Sequence, residues 1–457
     1  MFHAITKSGA HTIAPFALAA LLVLAIALAW FGSYEASFQF DDWNVIVKDL
    51  RVQSLSAWWH SLPGIRAGLK LSYALNYEFG ADPSTFREFN IAVHALNTIL
   101  VFSLLRRRGS NLAALAAAAV FALAPVQTEA VTYICGRSSS LVALPCLLSL
   151  WCWEAALQRP ERRAMFLHAA GVACYLIALS VKETAIVLPL ALLVWRPGKH
   201  RALWAYASVA ALALVAALAS PTYRHLLLAS LQTGSLLDNL AAQAQAWGFL
   251  LQELVRLSSL NADPQLRDVA ADNAFGAAFW ILVWASVLTL AWARRKRTPE
   301  LTFAVLWFGV WLLPTNSLLP RLDIANDRQL YMALIGPAWL LGQAIADLAA
   351  RRPRLAWAAV ALLAVTLGVA TRERNLVYRS EVSFWQDALQ RSPSNARAAN
   401  NLGVAYAVAC RDADASRAFE QSIAANPNDF RARINLRFLR DNALTRRDAS
   451  GCRLIVQ

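Results

Sequence analysis

Charge is scarce in this chain. Only 16% of its 457 residues are Asp, Glu, Lys or Arg, while 58% are hydrophobic, a balance too apolar for a soluble enzyme of this length. The mean hydropathy of +0.42 agrees. Acidic residues are the scarcer sign, and the net charge is +14. The basic clusters fall between apolar runs, where Lys and Arg act as topology signals rather than as a nucleic-acid surface. Six cysteines are present, but no pair has metal-ligand spacing, which argues against a structural zinc site. Cys146, Cys152 and Cys174 lie in apolar runs and read as small hydrophobes. Cys410 and Cys452 lie near the C-terminus, where an oxidising compartment would allow them to pair. The first apolar run has no A-x-A site behind it, because Gly32-Ser33-Tyr34-Glu35 follows. It therefore reads as a retained helix and not as a cleaved signal peptide.

What is abundant is the long apolar run. Eleven are legible, at about 13–31, 88–105, 111–125, 138–157, 164–180, 184–195, 202–220, 276–293, 301–317, 329–349 and 355–370. Backbone groups in lipid must be satisfied internally, so each predicts a helix in an all-α polytopic bundle. Five basic clusters, at 106–108, 159–163, 196–201, 294–297 and 351–354, fall on one side if the N-terminus is cytoplasmic. That arrangement requires 221–275 to lie wholly on the other side, with the moderately apolar stretch 241–260 as a surface or re-entrant helix. The N-terminus is then inside and the C-terminus outside. The loop 32–87, the turns 126–137 and 318–328, the loop 221–275 and the Lys182-Glu183 hairpin share the outer side.

After residue 370 the composition turns polar. Pro393 and Pro427 are 34 residues apart, the period of a tetratricopeptide repeat. One full repeat between two halves is predicted over 371–457, too short to stand alone and expected to lean on the membrane domain, 1–370. Acceptor docking and a structural cap are the two roles open to it.

Ionisable residues gather on the outer side. Asp41-Asp42 follows the first helix and reads as a general base, a divalent-cation site or an ordinary loop start. Arg66 precedes a segment returning to the membrane. Asn90 and His94 share a face of the second span, and intramembrane histidine is costly without a use. Glu129 and Arg137, then Lys182 and Glu183, then Arg321, Asp323, Asp327, Arg328 and Tyr331 give each outer turn a cation, usually beside a carboxylate. Salt bridges between helix ends would need this pattern, and so would a cavity for a phosphate headgroup.

Taken in order, these residues resemble the C-type glycosyltransferases that use polyprenyl-phosphate sugars, the transmembrane and tetratricopeptide-repeat-containing O-mannosyltransferases above all. The resemblance rests on the acidic pair, the Asn90-to-His94 spacing, Thr128-Glu129-Ala130-Val131 with Gly136-Arg137, Lys182-Glu183, Asp327-Arg328 with Tyr331 and Gly336, and the repeat-like tail. Ala124 before Pro125, Ala67 after Arg66, Arg87 and Asp327 depart from the family pattern. The resemblance implies that Asp41 or Asp42 is the catalytic base and that transfer inverts the sugar. Arg66, Arg137, Lys182, Arg321 and Arg328 would hold the donor phosphate, with Asn90, His94, Glu129, Glu183, Asp327 and Tyr331 in support. The residues themselves leave metal dependence open; if a divalent cation takes part, Asp41 and Asp42 would hold it. The expected donor lipid is undecaprenyl-linked, in a bacterial inner membrane. The expected acceptor is a periplasmic protein Ser or Thr hydroxyl, with a periplasmic glycan as the other choice. The rival readings are a lipid-linked sugar flippase and a membrane-anchored repeat scaffold.

Overall fold

The computed structural model describes residues 14–457 except 62–63, 199, 233–235, 259, 267–273, 318–319, 321–322, 442–444, 449–450 and 455–457. Each apolar run is helical. The first is α1 (Pro15–Ala29). After a loop carrying α2 (Ala67–Phe79) come α3 (Pro83–Leu105), α4 (Arg137–Ala156) and α5 (Glu161–Val181). The last apolar helix is α6 (Pro353–Val377), and the polar tail follows as α7 (Glu381–Arg391), α8 (Ala396–Val408), α9 (Asp412–Ala425) and α10 (Phe430–Arg440). Among the described residues, five helices are long and apolar enough to cross a membrane, or up to eight if three bent pairs count as one span each. Three shorter apolar helices, Pro15–Ala29, Glu183–Trp195 and Pro299–Leu312, accompany them. This is the fold of a multi-pass membrane protein.

Small residues let the helices approach. In the Ala-rich helix Asn111–Leu123 every residue from Ala113 to Leu123 is buried. Ile335–Arg351 packs on it at Gly342, where a Cβ would overlap the Ala113 carbonyl. The stretch expected to be a surface or re-entrant helix forms Leu236–Glu253, which is not among the helices long and apolar enough to cross. It lies against Ala274–Ala293, with Trp247 edge-on to Trp284 at 5.3 Å.

Composition changes after residue 370, but α6 runs on to Val377 and enters the tail as a rigid helix. Thr371 and Asn375 tie it to the bundle, Thr371 Oγ1 donating to the Leu123 carbonyl and Thr132 Oγ1 donating to Asn375 Oδ1 at 2.6 Å. The helices α7 to α10 each pack on the next around a separate core that includes Phe384, Trp385, Phe419 and Leu436. Tyr133 of the turn 126–137 joins that core, so the tail is fused to the bundle's end. One element departs from the all-α expectation, an antiparallel hairpin pairing Thr445–Asp448 with Gly451–Leu454. Cys410 is disulfide-bonded, and the side chain of Cys452 lies outside the described residues.

Candidate active site

The loop after α1 is fastened before it reaches the acidic pair. Arg87, buried on α3, donates from Nε to the Thr132 carbonyl (3.0 Å), from Nη2 to the Ser37 carbonyl (2.6 Å), and from Nη1 to the Ala36 carbonyl. Phe40 then adopts a left-handed conformation, φ 46°, which for a bulky residue costs of order 1–3 kcal/mol and persists only where its surroundings over-determine it. The turn separates the two acids. Asp42 is fully buried, and its carboxylate accepts the Gln39 N–H (3.0 Å) and the Cys135 N–H (2.8 Å). Burial pushes it up to about 6, with those hydrogen bonds and Arg87 opposing. Asp41 is half-buried, and its backbone N–H donates to the Tyr133 hydroxyl (3.3 Å). Burial raises its pKa; Asp323 adds to this, while Arg328, Arg397 and a hydrogen bond from Tyr133 pull it down.

The turn 126–137 folds tightly because residue 136 is glycine, where a Cβ would overlap the Glu129 carbonyl. That turn aims Glu129 at Arg328. Its carboxylate accepts the Arg328 backbone N–H (3.0 Å) and Nη1–H (2.9 Å), so one carboxylate fixes both ends of the residue. Two clefts meet at Arg328 and Asn326, which line both. One is walled by Phe40, Tyr133, Asp263, Asp323 and Arg397. The other is walled by Lys182, Ser139 and Tyr331 with the apolar Val142, Trp311 and Met332. Lys182 Nζ donates to Ser139 Oγ at 2.8 Å.

The remaining expected residues are placed differently. Arg137 lines neither cleft. It is fully buried and donates from Nε to Asn90 Oδ1 (2.5 Å), from Nη1 to the Ser72 carbonyl (3.2 Å) and from Nη2 to the Phe86 carbonyl (2.8 Å). Asn90 also donates to the Val131 carbonyl. His94 sits between the Ala122 carbonyl and the Tyr331 hydroxyl (3.0 and 2.7 Å). The carbonyl requires an Nε2–H donor, which leaves Nδ1 to accept from Tyr331. Arg66 pairs with Glu183 and so steadies the turn that carries Lys182. Asp327 is buried beside Glu129, Glu253, Arg374 and Arg328, with neither carboxylate oxygen hydrogen-bonded among the described residues. Arg321 lies outside the described residues. Both Asp42 carboxylate oxygens accept backbone N–H groups, while Asp41 lies on the other side of the turn. Among the described residues no three His, Cys, Asp or Glu side chains cluster as metal ligands.

Sequence reasoning passed over Asp263, Glu381 and Arg397, and read Arg87 only as a departure from the family pattern. Arg397 bridges Asp263 (Nε–Oδ2 3.0 Å) and Asp323 (2.8 Å), joining α8 to two outer segments. Asp323 was legible as part of the charged turn that it shares with Arg328, whereas Asp263, Glu381 and Arg397 gave no signal.

No family model matches the chain, and no solved structure matches it. Two curated proteins do. It is 30% identical over 136 residues to the Drosophila melanogaster Protein O-mannosyl-transferase Tmtc3, covering 28% of this chain and 15% of that protein. It is 34% identical over 163 residues to the Homo sapiens Protein O-mannosyl-transferase TMTC4, covering 29% of this chain and 22% of that protein. The matched part thus spans less than a quarter of either relative. The resemblance to this O-mannosyltransferase family holds, at low identity and over part of the chain.

Proposed function

We propose that the chain is an integral-membrane glycosyltransferase that moves a sugar from a polyprenyl-phosphate donor to a periplasmic acceptor, with inversion. The observation that carries this is the pair of adjoining clefts that share Arg328. The Lys182 cleft, cationic and partly apolar, suits a phosphate on an isoprenoid chain. The Phe40–Tyr133 cleft beside Asp41 suits the sugar and the incoming hydroxyl.

Asp41 is assigned as the base and Asp42 as the residue that fixes the turn. Asp41 takes the proton of the acceptor hydroxyl as that oxygen attacks the anomeric carbon. The bond from that carbon to the phosphate oxygen breaks, and polyprenyl phosphate leaves with its negative charge rising against Lys182 and Arg328. Both cations are held before the reaction, Arg328 by Glu129 and Lys182 by Ser139, so little reorganisation is needed. Arg66 and Glu183 support Lys182. Arg137 is assigned a structural role, because its Nε, Nη1 and Nη2 donors are already spent. The tail, 371–457, is a tetratricopeptide-like unit that docks an acceptor protein, and a Ser or Thr hydroxyl is the favoured nucleophile. The relatives' printed activity supports a protein acceptor. Undecaprenyl phosphate as the carrier and the bacterial inner membrane as the location belong to the same proposal.

The test is transfer from a panel of labelled polyprenyl-phosphate monosaccharides to periplasmic extract by purified protein in detergent, with Asp41→Asn as control. Label should move to protein with wild type only. Donor that binds and crosses liposomes with no label transferred would give the function to a flippase instead.

A further inference from the structure

We infer that α7 is part of the reaction site, with Glu381 as a positioning residue that holds the left-handed turn at Phe40 and so sets the Asp41 carboxylate. The inference rests on the reading of Asp41 as the base. One oxygen of Glu381, Oε1, accepts the Phe40 N–H (3.0 Å) and the Trp43 Nε1–H (3.2 Å), and therefore straddles Asp41 and Asp42. Trp385, one turn further along α7, meets the Phe40 ring edge-on at 5.2 Å and 84°. Just before α7, the Tyr378 carbonyl accepts from the Gln39 side chain and the Arg379 carbonyl accepts the Ser37 N–H (3.3 Å). Residues 378–385 thus grip 37–43 along its whole length.

The loop does little of this for itself. Its internal bonds are the Gln39 N–H to the Asp42 carboxylate (3.0 Å), the Asp42 N–H to the Gln39 carbonyl (2.9 Å) and the Trp43 N–H to the Phe40 carbonyl (3.3 Å), a single turn. A left-handed phenylalanine needs more than that. A glutamate in the first turn of a helix has an ordinary explanation in the helix dipole, but here Ser380 and Ser383 already cap α7 with a reciprocal box. The Glu381 carboxylate reaches away, to the loop. A domain that docks an acceptor would then act directly on the base that deprotonates it.

The experiment compares full-length wild type, Glu381→Ala and Glu381→Gln. Glutamine keeps the accepting oxygen and alanine removes it. Alanine should lower kcat by about 10- to 100-fold, the size of effect that a small misplacement of a reacting group produces, with the donor KM within about twofold and glutamine close to wild type. The acid limb of the pH–rate profile should move to lower pH in the alanine variant as Asp41 gains water. The other groups facing Asp41, which are Tyr133, Arg328, Asp323 and Arg397, are unchanged by the substitution. Hydrogen exchange of peptides covering 37–43 should accelerate with alanine and not with glutamine. An alanine variant with wild-type kcat, or with wild-type exchange, overturns the inference. So does equal loss in both variants with a lowered melting temperature, which would make Glu381 a folding residue only. Wild type that transfers no sugar rejects the proposed function instead, and the exchange result still decides whether Glu381 anchors the loop.

Discussion

At Asp42 both carboxylate oxygens accept backbone N–H groups, whereas Asp41 faces Arg328 and Arg397 beside the cleft. The same substitution should therefore do different things at the two positions. Asp41→Asn should cut transfer by at least ~100-fold, the usual worth of a general base, with the melting temperature held. Asp42→Asn turns an amide N–H towards a buried backbone N–H and should cost about 1–3 kcal/mol of stability, read as a lower melting temperature in detergent. The gap between that variant and wild type should also depend on pH. Asp42 has a folded pKa of about 6 against an ordinary value of 3.8, so the folded state binds the extra proton between those values. Its contribution is fully present below pH ~4 and is lost as pH rises through about 6, at most roughly 3 kcal/mol by linkage. Melts from pH 4 to 7 should show wild type converging on Asp42→Asn as pH rises. A gap that stays constant or widens would exclude the assignment. None of this could be read from the dipeptide, because what distinguishes the two acids is the Cys135 amide in another turn.

Between elements, the same arginine chemistry serves two ends. Arg137 ties α4 to α2 and α3 through Ser72, Phe86 and Asn90 and stacks within 4.5 Å of the Phe89 ring centroid. Removing it strands buried acceptors, so Arg137→Ala should destabilise by about 3–5 kcal/mol, the scale for breaking a buried charge network. Lys182→Ala should leave the melting temperature near wild type and weaken donor binding, measured by titration with a polyprenyl phosphate. Donor binding retained in Lys182→Ala would remove that residue from the phosphate site. The sequence shows both cations in outer turns but not the carbonyls of Ser72 and Phe86 that absorb one of them. Spans were far more legible than partners: an apolar run leaves its backbone no choice in lipid, while a hydrogen bond between distant turns depends on the packing that brings them together. Glu129 was readable as a partner of a cation. Glu381 was not, because it lies in a tail whose composition reads as a separate docking unit.

Across the whole molecule, the contacts constrain how the chain threads the membrane. Arg397 of α8 holds Asp263 and Asp323 together, Glu381 holds Phe40, and Tyr133 packs in the tail's core. Segments 32–87, 126–137, 256–266, 318–328 and the tail therefore stand at one end of the bundle. Every stretch between two of them must cross an even number of times. Eleven crossings meet this condition, with 276–293 and 301–317 as the pair between Asp263 and Asp323. If Leu236–Glu253 also crossed, residue 221 would lie at the opposite end from Asp263, and the basic clusters 294–297 and 351–354 would lie on the side away from the other three. Reporter fusions decide the matter. A reporter that is active only in the periplasm should be active when fused after residue 457 or within 256–266, and silent when fused after Arg297. Activity after Arg297 with silence at the C-terminus would invert the whole assignment and place Asp41, Arg328 and the acceptor-docking tail on the cytoplasmic face. A periplasmic acceptor could then not be the substrate.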